Sequence, residues 1–354
     1  LFYLNKALNI NTRIFGTKNR DIANTYIRLS FLEAEDKNFN ISLGYIQQAI
    51  IALISNVEST NPFSELKTIP TNPDIYLMTA FGKKADLMYQ LYEEKKDVKY
   101  LYSSLYNYQL LSRVANTVRS NINSDESNFL VSAHSKNAFA GAFKTTFALY
   151  RATGDKKYLL EGFRFAERSK SAVLLAELRD NDDKIHTDID PKLRGDEKEL
   201  RNSIANYKKL IYEEQKKARP SQQKLDLWRD KVFELEKKQE LLAETIRQKY
   251  PEYYKIKYGD GTLEPSVIQK SLKEETILEY ALTDNVLYTF LLSKDTLLVN
   301  VDTATKELES DVRAYVENIR SGPLSDPEGS FTTFTQLSDK LYTKLIKPFE
   351  SEIR

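Results

Sequence analysis

From Phe2 to about residue 250, apolar side chains recur every three or four positions, which is the spacing of one face of a helix. Two stripes, Tyr26/Leu29 and Ile46/Ala49/Ile50/Leu53, flank a polar break at Asp36–Asn40 and predict a helix pair between Asp21 and Leu53. Small side chains, Ser30, Ser42 and Ala49, fall where two such helices must approach closely. Residues 1–15 read as one further helix, the second member of another pair. A loop from Asn61 to Asp74 carries three prolines. Beyond it the pattern predicts a second pair, Ile75–Lys95 and Val98–Ser120. A third pair covers about 128–153 and 156–178, joined at TGDKK, where Gly154 is a helix stop.

The period then tightens to alternating steps of three and four. Leu200, Ile204, Tyr207 and Ile211 form one seam, and Leu225, Trp228, Val232, Leu235, Gln239, Leu242 and Ile246 form another. Charged residues fill the positions between, so the region predicts an antiparallel coiled-coil hairpin turning at Pro220–Ser221. After a short helix at Pro265–Leu272 the pattern changes to strands: Thr276–Leu282, Val286–Ser293 and Leu297–Val301. Two helices follow, about 303–321 and 331–351, and the stretch GPLSDPEGS between them reads as a flexible loop.

Composition narrows the chemistry. The 354 residues carry 52 Lys plus Arg against 51 Asp plus Glu, a net charge of +1, which gives no global reason to bind nucleic acid or an anionic membrane. There is no cysteine, so disulfides, thiolate metal sites and a cysteine nucleophile are excluded within this chain. The two histidines, His134 and His186, do not make a histidine metal site. His134 sits beside small residues on a helix and reads as a packing or surface residue. The acidic stretch Asp180–Pro191 begins like a calcium loop, but Lys184 and Ile185 break the ligand pattern, leaving a solvated linker. No glycine-rich phosphate loop and no Ser/His/Asp arrangement is present. No apolar run approaches the roughly 18 residues of a membrane span. The expectation is no cofactor, no metal and no catalytic residue among these positions. The basic and aromatic run KYPEYYKIKYG reads as an ordered junction in preference to a base-stacking surface.

The Asp21–Leu53 unit resembles a tetratricopeptide repeat, with Tyr26, Leu29 and Ser30 at the tryptophan, leucine and glycine positions of that repeat. The helix FRFAERSKSAVLLAEL (Phe163–Leu178) resembles the last repeat of bacterial proteins that join such repeats to a CHAT domain, a caspase-like, separase-related peptidase domain. The order of a YP-containing junction, a short helix, LEY, a hairpin with YTFLLS and two helices resembles the opening of that domain. The resemblance implies a mainly α fold: a helical-hairpin solenoid over 1–179, a coiled-coil hairpin over 192–250, and the first part of a CHAT-like α/β domain over 262–354. In that family the catalytic His and Cys lie on later strands, so the chain reads as the front part of a longer protein. What the resemblance implies is a non-catalytic scaffold or sensor region of a Cys–His peptidase. The alternative is a stand-alone repeat scaffold with a degenerate peptidase domain. A solenoid's concave face suits a protein or peptide partner, with Asn24, Arg28, Asn137 and Lys144 as the candidate contact residues. An unfinished sheet edge also allows a homodimer.

Overall fold

The computed structural model describes residues 1–66, 69–70, 73–121, 125–180, 189–215, 217, 219–251, 253–254, 265–283, 286–303 and 305–353. Among them are twelve α-helices and one three-stranded sheet, so the protein is mainly helical. The chain divides into two compact units, Leu1–Ser135 with Lys170–Thr262, and Lys136–Ser169 with Leu263–Arg354. This division cuts across the three-part order read along the sequence.

The first unit opens with α1 (Phe2–Phe15), α2 (Arg20–Glu35) and α3 (Phe39–Leu53). Helices α2 and α3 run antiparallel and meet through small residues. Ser42 Oγ donates to the Ser30 carbonyl at 2.6 Å, and the two hydroxyls lie 2.9 Å apart, both fully buried. A larger side chain at either position would hold the backbones apart, which is why the pattern places serine there. Tyr26 and Tyr45 stack further along the same interface. Asn19 caps α2 by accepting from Asp21 N–H at 2.7 Å. At the far end of α3 the Lys18 ammonium donates to the carbonyls of Ile51, Ile54 and Val57 at 2.8, 3.0 and 2.6 Å. Ile51 lies in the last turn of α3, where carbonyls lack a partner within the helix, and Ile54 and Val57 follow the helix end; the cation also opposes the negative end of the dipole.

Helices α4 (Ile75–Lys95) and α5 (Val98–Asn121) form the second antiparallel pair, and α3 also packs on α4. Asp74 caps α4 through Leu77 N–H at 3.0 Å. The core here is aromatic and aliphatic, with Phe81, Leu87, Met88 and Tyr108 buried. The Tyr108 hydroxyl donates to the Asp86 carboxylate, so the buried phenol is satisfied.

The arm consists of α8 (Pro191–Gln215) and α9 (Gln222–Lys249). Its seam matches the heptad reading: Ile204, Leu225, Val232, Leu235 and Ile246 are buried. The turn is held by the buried Glu214, whose carboxylate accepts from Ser221 N–H at 3.0 Å and from Lys217 at 2.6 Å. At the base of the arm Ile189, Ile246 and Tyr253 are buried together, with Leu193, Leu242, Tyr250 and Tyr254 packed around them. The first residues of the KYPEYY run thus fold into a cluster; 255–264 lie outside the described residues.

In the second unit, α6 (Asp125–Thr153) and α7 (Lys157–Asp180) contribute their 136–169 portion. Gly154 ends α6 with φ 71°, a left-handed conformation that costs glycine little, and its N–H donates to Tyr150 O at 2.7 Å. The sheet follows α10 (Pro265–Ser271) as β1 (Ile277–Leu282), β2 (Leu287–Leu292) and β3 (Leu297–Asp302), antiparallel in the order β1-β2-β3. All six residues of β2 are buried, because helices cover both faces. Tyr288 and Phe290 meet Phe143 and Phe163 of the helix pair on one face. On the other, Tyr280, in register with Thr289, donates its hydroxyl to Leu345 O at 3.0 Å.

The closing helices, α11 (Thr305–Ser325) and α12 (Pro327–Leu345), correct one reading of the sequence. GPLSDPEGS is not a flexible loop. Helix α11 continues through Gly322 and Pro323 to Ser325, and α12 starts at Pro327. Asp326 alone makes the turn, accepting from Gly329 N–H at 3.1 Å, with Pro327 at the first helical position where its missing N–H costs nothing.

Candidate functional site

One groove within the first unit gathers charged and aromatic side chains on the scale of a peptide. It has a volume of about 740 Å³ and is bounded by the starts of α2 and α4 and by the outer part of the arm. Its wall on the α2–α4 side is built by the caps. Asn19 and Asp74 stop their helices at neighbouring points, and this brings Arg20 against Asp74. The Arg20 Nε lies 2.8 Å from Asp74 Oδ2 while Asp74 Oδ1 accepts from Leu77 N–H. The same guanidinium lies over the Tyr76 ring, 5.2 Å from its centroid. Asp74 therefore does two jobs, and Arg20 is oriented by a carboxylate and a ring together.

The arm side of the groove presents Arg201, Lys208 and Tyr212. Lys208 bridges the two arm helices through Glu236 at 2.8 Å. Gln239, the amide in the heptad seam, also lines the groove, and its buried Oε1 has no hydrogen-bond partner among the described residues. Counting the lining side chains, Arg20, Arg201, Lys208 and Lys209 outnumber Asp21 and Asp74. Arg20 is paired with Asp74, Lys208 with Glu236 and Lys209 with Glu213, so the groove presents oriented, ion-paired cations beside apolar and aromatic surface.

The residues proposed from the sequence are not gathered here. Asn24 is half-buried on α2 and Arg28 is exposed on the same helix. Lys144 is exposed on α6, in the second unit. The side chains of Asn137 and His134, and residues 181–188 of the acidic linker with His186, lie outside the described residues. What the sequence reading passed over was the groove wall at Arg20, Asp74 and Tyr76. The signal was available: Asn-Pro-Asp before an apolar run marks a helix N-cap, which fixes where Asp74 must sit. That Arg20 would meet it across 54 residues of chain was not legible.

Among the described residues there is no cluster of metal-ligating side chains, and no helix is long and apolar enough to cross a membrane. The chain matches no known family model, no curated protein and no solved structure.

Proposed function

We propose that this chain is a protein-recognition region, and that the groove beside Arg20, Asp74 and Tyr76 receives an extended or helical segment of a partner protein. The observation that carries this reading is the groove itself: about 740 Å³, open, bounded by packed helices, and lined by oriented cationic and aromatic side chains. Such sites combine apolar area with a few placed polar groups. The crossing through Ser30 and Ser42 supports a tetratricopeptide-like character for the α2/α3 pair, since that repeat requires small residues where its helices cross. The order of helix, three strands and helix pair in the second unit supports the CHAT-like resemblance. On this reading the chain is the scaffold or sensor part of a caspase-like peptidase. With no cysteine in the sequence, Cys–His chemistry would belong to residues outside the 354.

The test is selection of peptides from a random display library on the purified chain. Enriched peptides should share acidic and aromatic positions and compete for one site. Arg20→Glu and Arg201→Glu should each weaken their binding by about tenfold or more, because a favourable charge contact becomes a repulsive one. Enrichment no better than on an unrelated helical protein, or peptides indifferent to both substitutions, would remove the groove as the recognition site.

A further inference from the structure

A second void lies within the same unit, away from the groove, between α3, α4, α5 and the loop over residues 54–66. Its volume is about 250 Å³. A single ordered water needs only about 10–15 Å³ of such space, so the void holds considerably more than one. Three buried polar residues line it, Gln47 on α3, Lys84 on α4 and Asn107 on α5. Lys84 is 4% exposed and Asn107 is 1% exposed.

These groups are held in place and left incompletely satisfied. The Lys84 ammonium donates to Gln47 Oε1 at 3.0 Å. Gln47 is fixed in turn, since its Nε2 donates to Ser59 O at 2.7 Å, which obliges it to present its oxygen to the lysine. An ammonium has three N–H groups, and among the described residues no carboxylate forms an ion pair with this one. Asn107 Nδ2 donates to Ser103 O at 2.7 Å, which fixes the orientation of the amide. Its Oδ1 is buried with no hydrogen-bond partner among the described residues. A buried cation without an anion and a buried acceptor without a donor therefore line one cavity. Each is unfavourable as it stands, and a ligand carrying the complementary groups relieves both. The loop wall adds the exposed carboxylates Glu58 and Glu65 at the mouth, which oppose a bare dianion and favour a positively charged end.

We propose that this cavity is a binding site for a small zwitterion of the amino-acid class, with its carboxylate on the Lys84 ammonium and a donor group on Asn107 Oδ1. The loop that closes the void is pinned to the protein on either side of it. Lys18 holds Val57 O at 2.6 Å, and Leu66 N–H donates to the Tyr106 hydroxyl at 2.8 Å. Occupancy of the cavity would therefore stiffen the 54–66 segment.

The experiment is calorimetry and thermal melting of the whole chain with each of the common L-amino acids, and with acetate and methylamine as the separate halves. At least one amino acid should bind saturably and raise the melting temperature, while acetate and methylamine do neither. Lys84→Met and Asn107→Leu should each lower its affinity about tenfold or more, with the helical circular dichroism unchanged. The unsubstituted chain should also lose affinity between pH 7 and pH 10, as the ammonium gives up its proton. No saturable binding up to about 10 mM ligand, a range that already includes very weak sites, would overturn the proposal. So would binding that neither substitution weakens, or acetate binding as tightly as any amino acid.

Discussion

The ring of Phe163 meets the ring of Phe290 edge to face, with centroids 6.0 Å apart and planes at 87°. One ring comes from a helix pair and the other from the central strand of the sheet, so this contact joins two layers of the second unit. The approach is close because the residue before Phe163 is glycine. A Cβ on Gly162 would lie 3.3 Å from the Phe290 ring and 3.1 Å from Thr146 Oγ1. Gly162→Val should therefore destabilise the protein by about 2 kcal/mol through overpacking. Gly195 on α8 has open space around it, and Gly195→Ala should stabilise by about 0.5–1 kcal/mol. Urea titration of the two variants checks both signs, and a neutral Gly162→Val would refute the close packing.

The Ser30–Ser42 contact makes a sharper demand on size. Both side chains are fully buried, and Ser42 satisfies its hydroxyl on the facing backbone. Ser42→Ala should cost about 1 kcal/mol, the net value of one buried hydrogen bond. Ser42→Val should cost about 2–4 kcal/mol, because it loses the bond and also forces the helices apart. Equal effects of Ala and Val would mean that size does not matter at this crossing.

Lys18 ties down the C-terminal end of α3 by donating to the carbonyl of Ile51 in its last turn and to those of Ile54 and Val57 just beyond it. Lys18→Met keeps the length of the side chain and removes the charge. It should lower stability by about 1 kcal/mol, with the loss reduced in high salt because the site is exposed. Amide hydrogen exchange should speed up first in residues 51–57, and unchanged exchange there would rule out this capping role.

Lys84 gives the protein a pH dependence of definite sign. Burial pulls its ammonium from the ordinary 10.5 down to about 8. Below about pH 8 both folded and unfolded chains hold the proton, so the full penalty of a buried charge is present. Between about 8 and 10.5 the unfolded chain binds more protons, so stability rises with pH through that window. The rise is bounded at an order of 3 kcal/mol, since each pH step between the two values contributes about 1.4 kcal/mol. Lys84→Met should be more stable than the parent at pH 7, with that difference shrinking by pH 10. Parallel urea titrations of the two chains at both pH values isolate this residue from the tyrosines and other lysines. A stability difference that does not change with pH would contradict the assignment.

Much of this architecture was legible because its causes are local. Helix pairs followed from the three-and-four spacing, the α2/α3 crossing from small residues at the right offsets, and the α6 stop from Gly154. The coiled-coil seam could be read residue by residue, and Ile204, Leu225 and Ile246 are buried as the heptads require. The stretch after Ser321 misled because glycine, proline and serine signal turns on average. Here the last turn of α11 tolerates Gly322 and Pro323, while Asp326 and Pro327 serve the start of the next helix. Composition alone could not separate these cases, since the same residues terminate one helix and begin another.

The candidate site was the least legible part. Asn24, Arg28, Asn137 and Lys144 are polar or long side chains expected on the concave face of a solenoid, a description that fits many residues. The groove instead depends on Arg20 reaching Asp74 and Tyr76, and the cavity on Gln47, Lys84 and Asn107 converging from three helices. A lysine or asparagine inside an amphipathic pattern gives no sign of being buried. Its side chain is long enough to face either way, and neighbouring helices settle which.

The sequence by itself determined the element types, most of their limits and the absence of cysteine chemistry, because these depend on residue identity and on spacing within a few turns. Only the tertiary structure decided that the helix pair at 136–169 packs with the sheet, that β2 is covered on both faces, and that a lysine and an asparagine line one void. Those outcomes depend on which surfaces meet across long separations in the chain, and burial, desolvation and unpaired polar groups exist only once those surfaces have met.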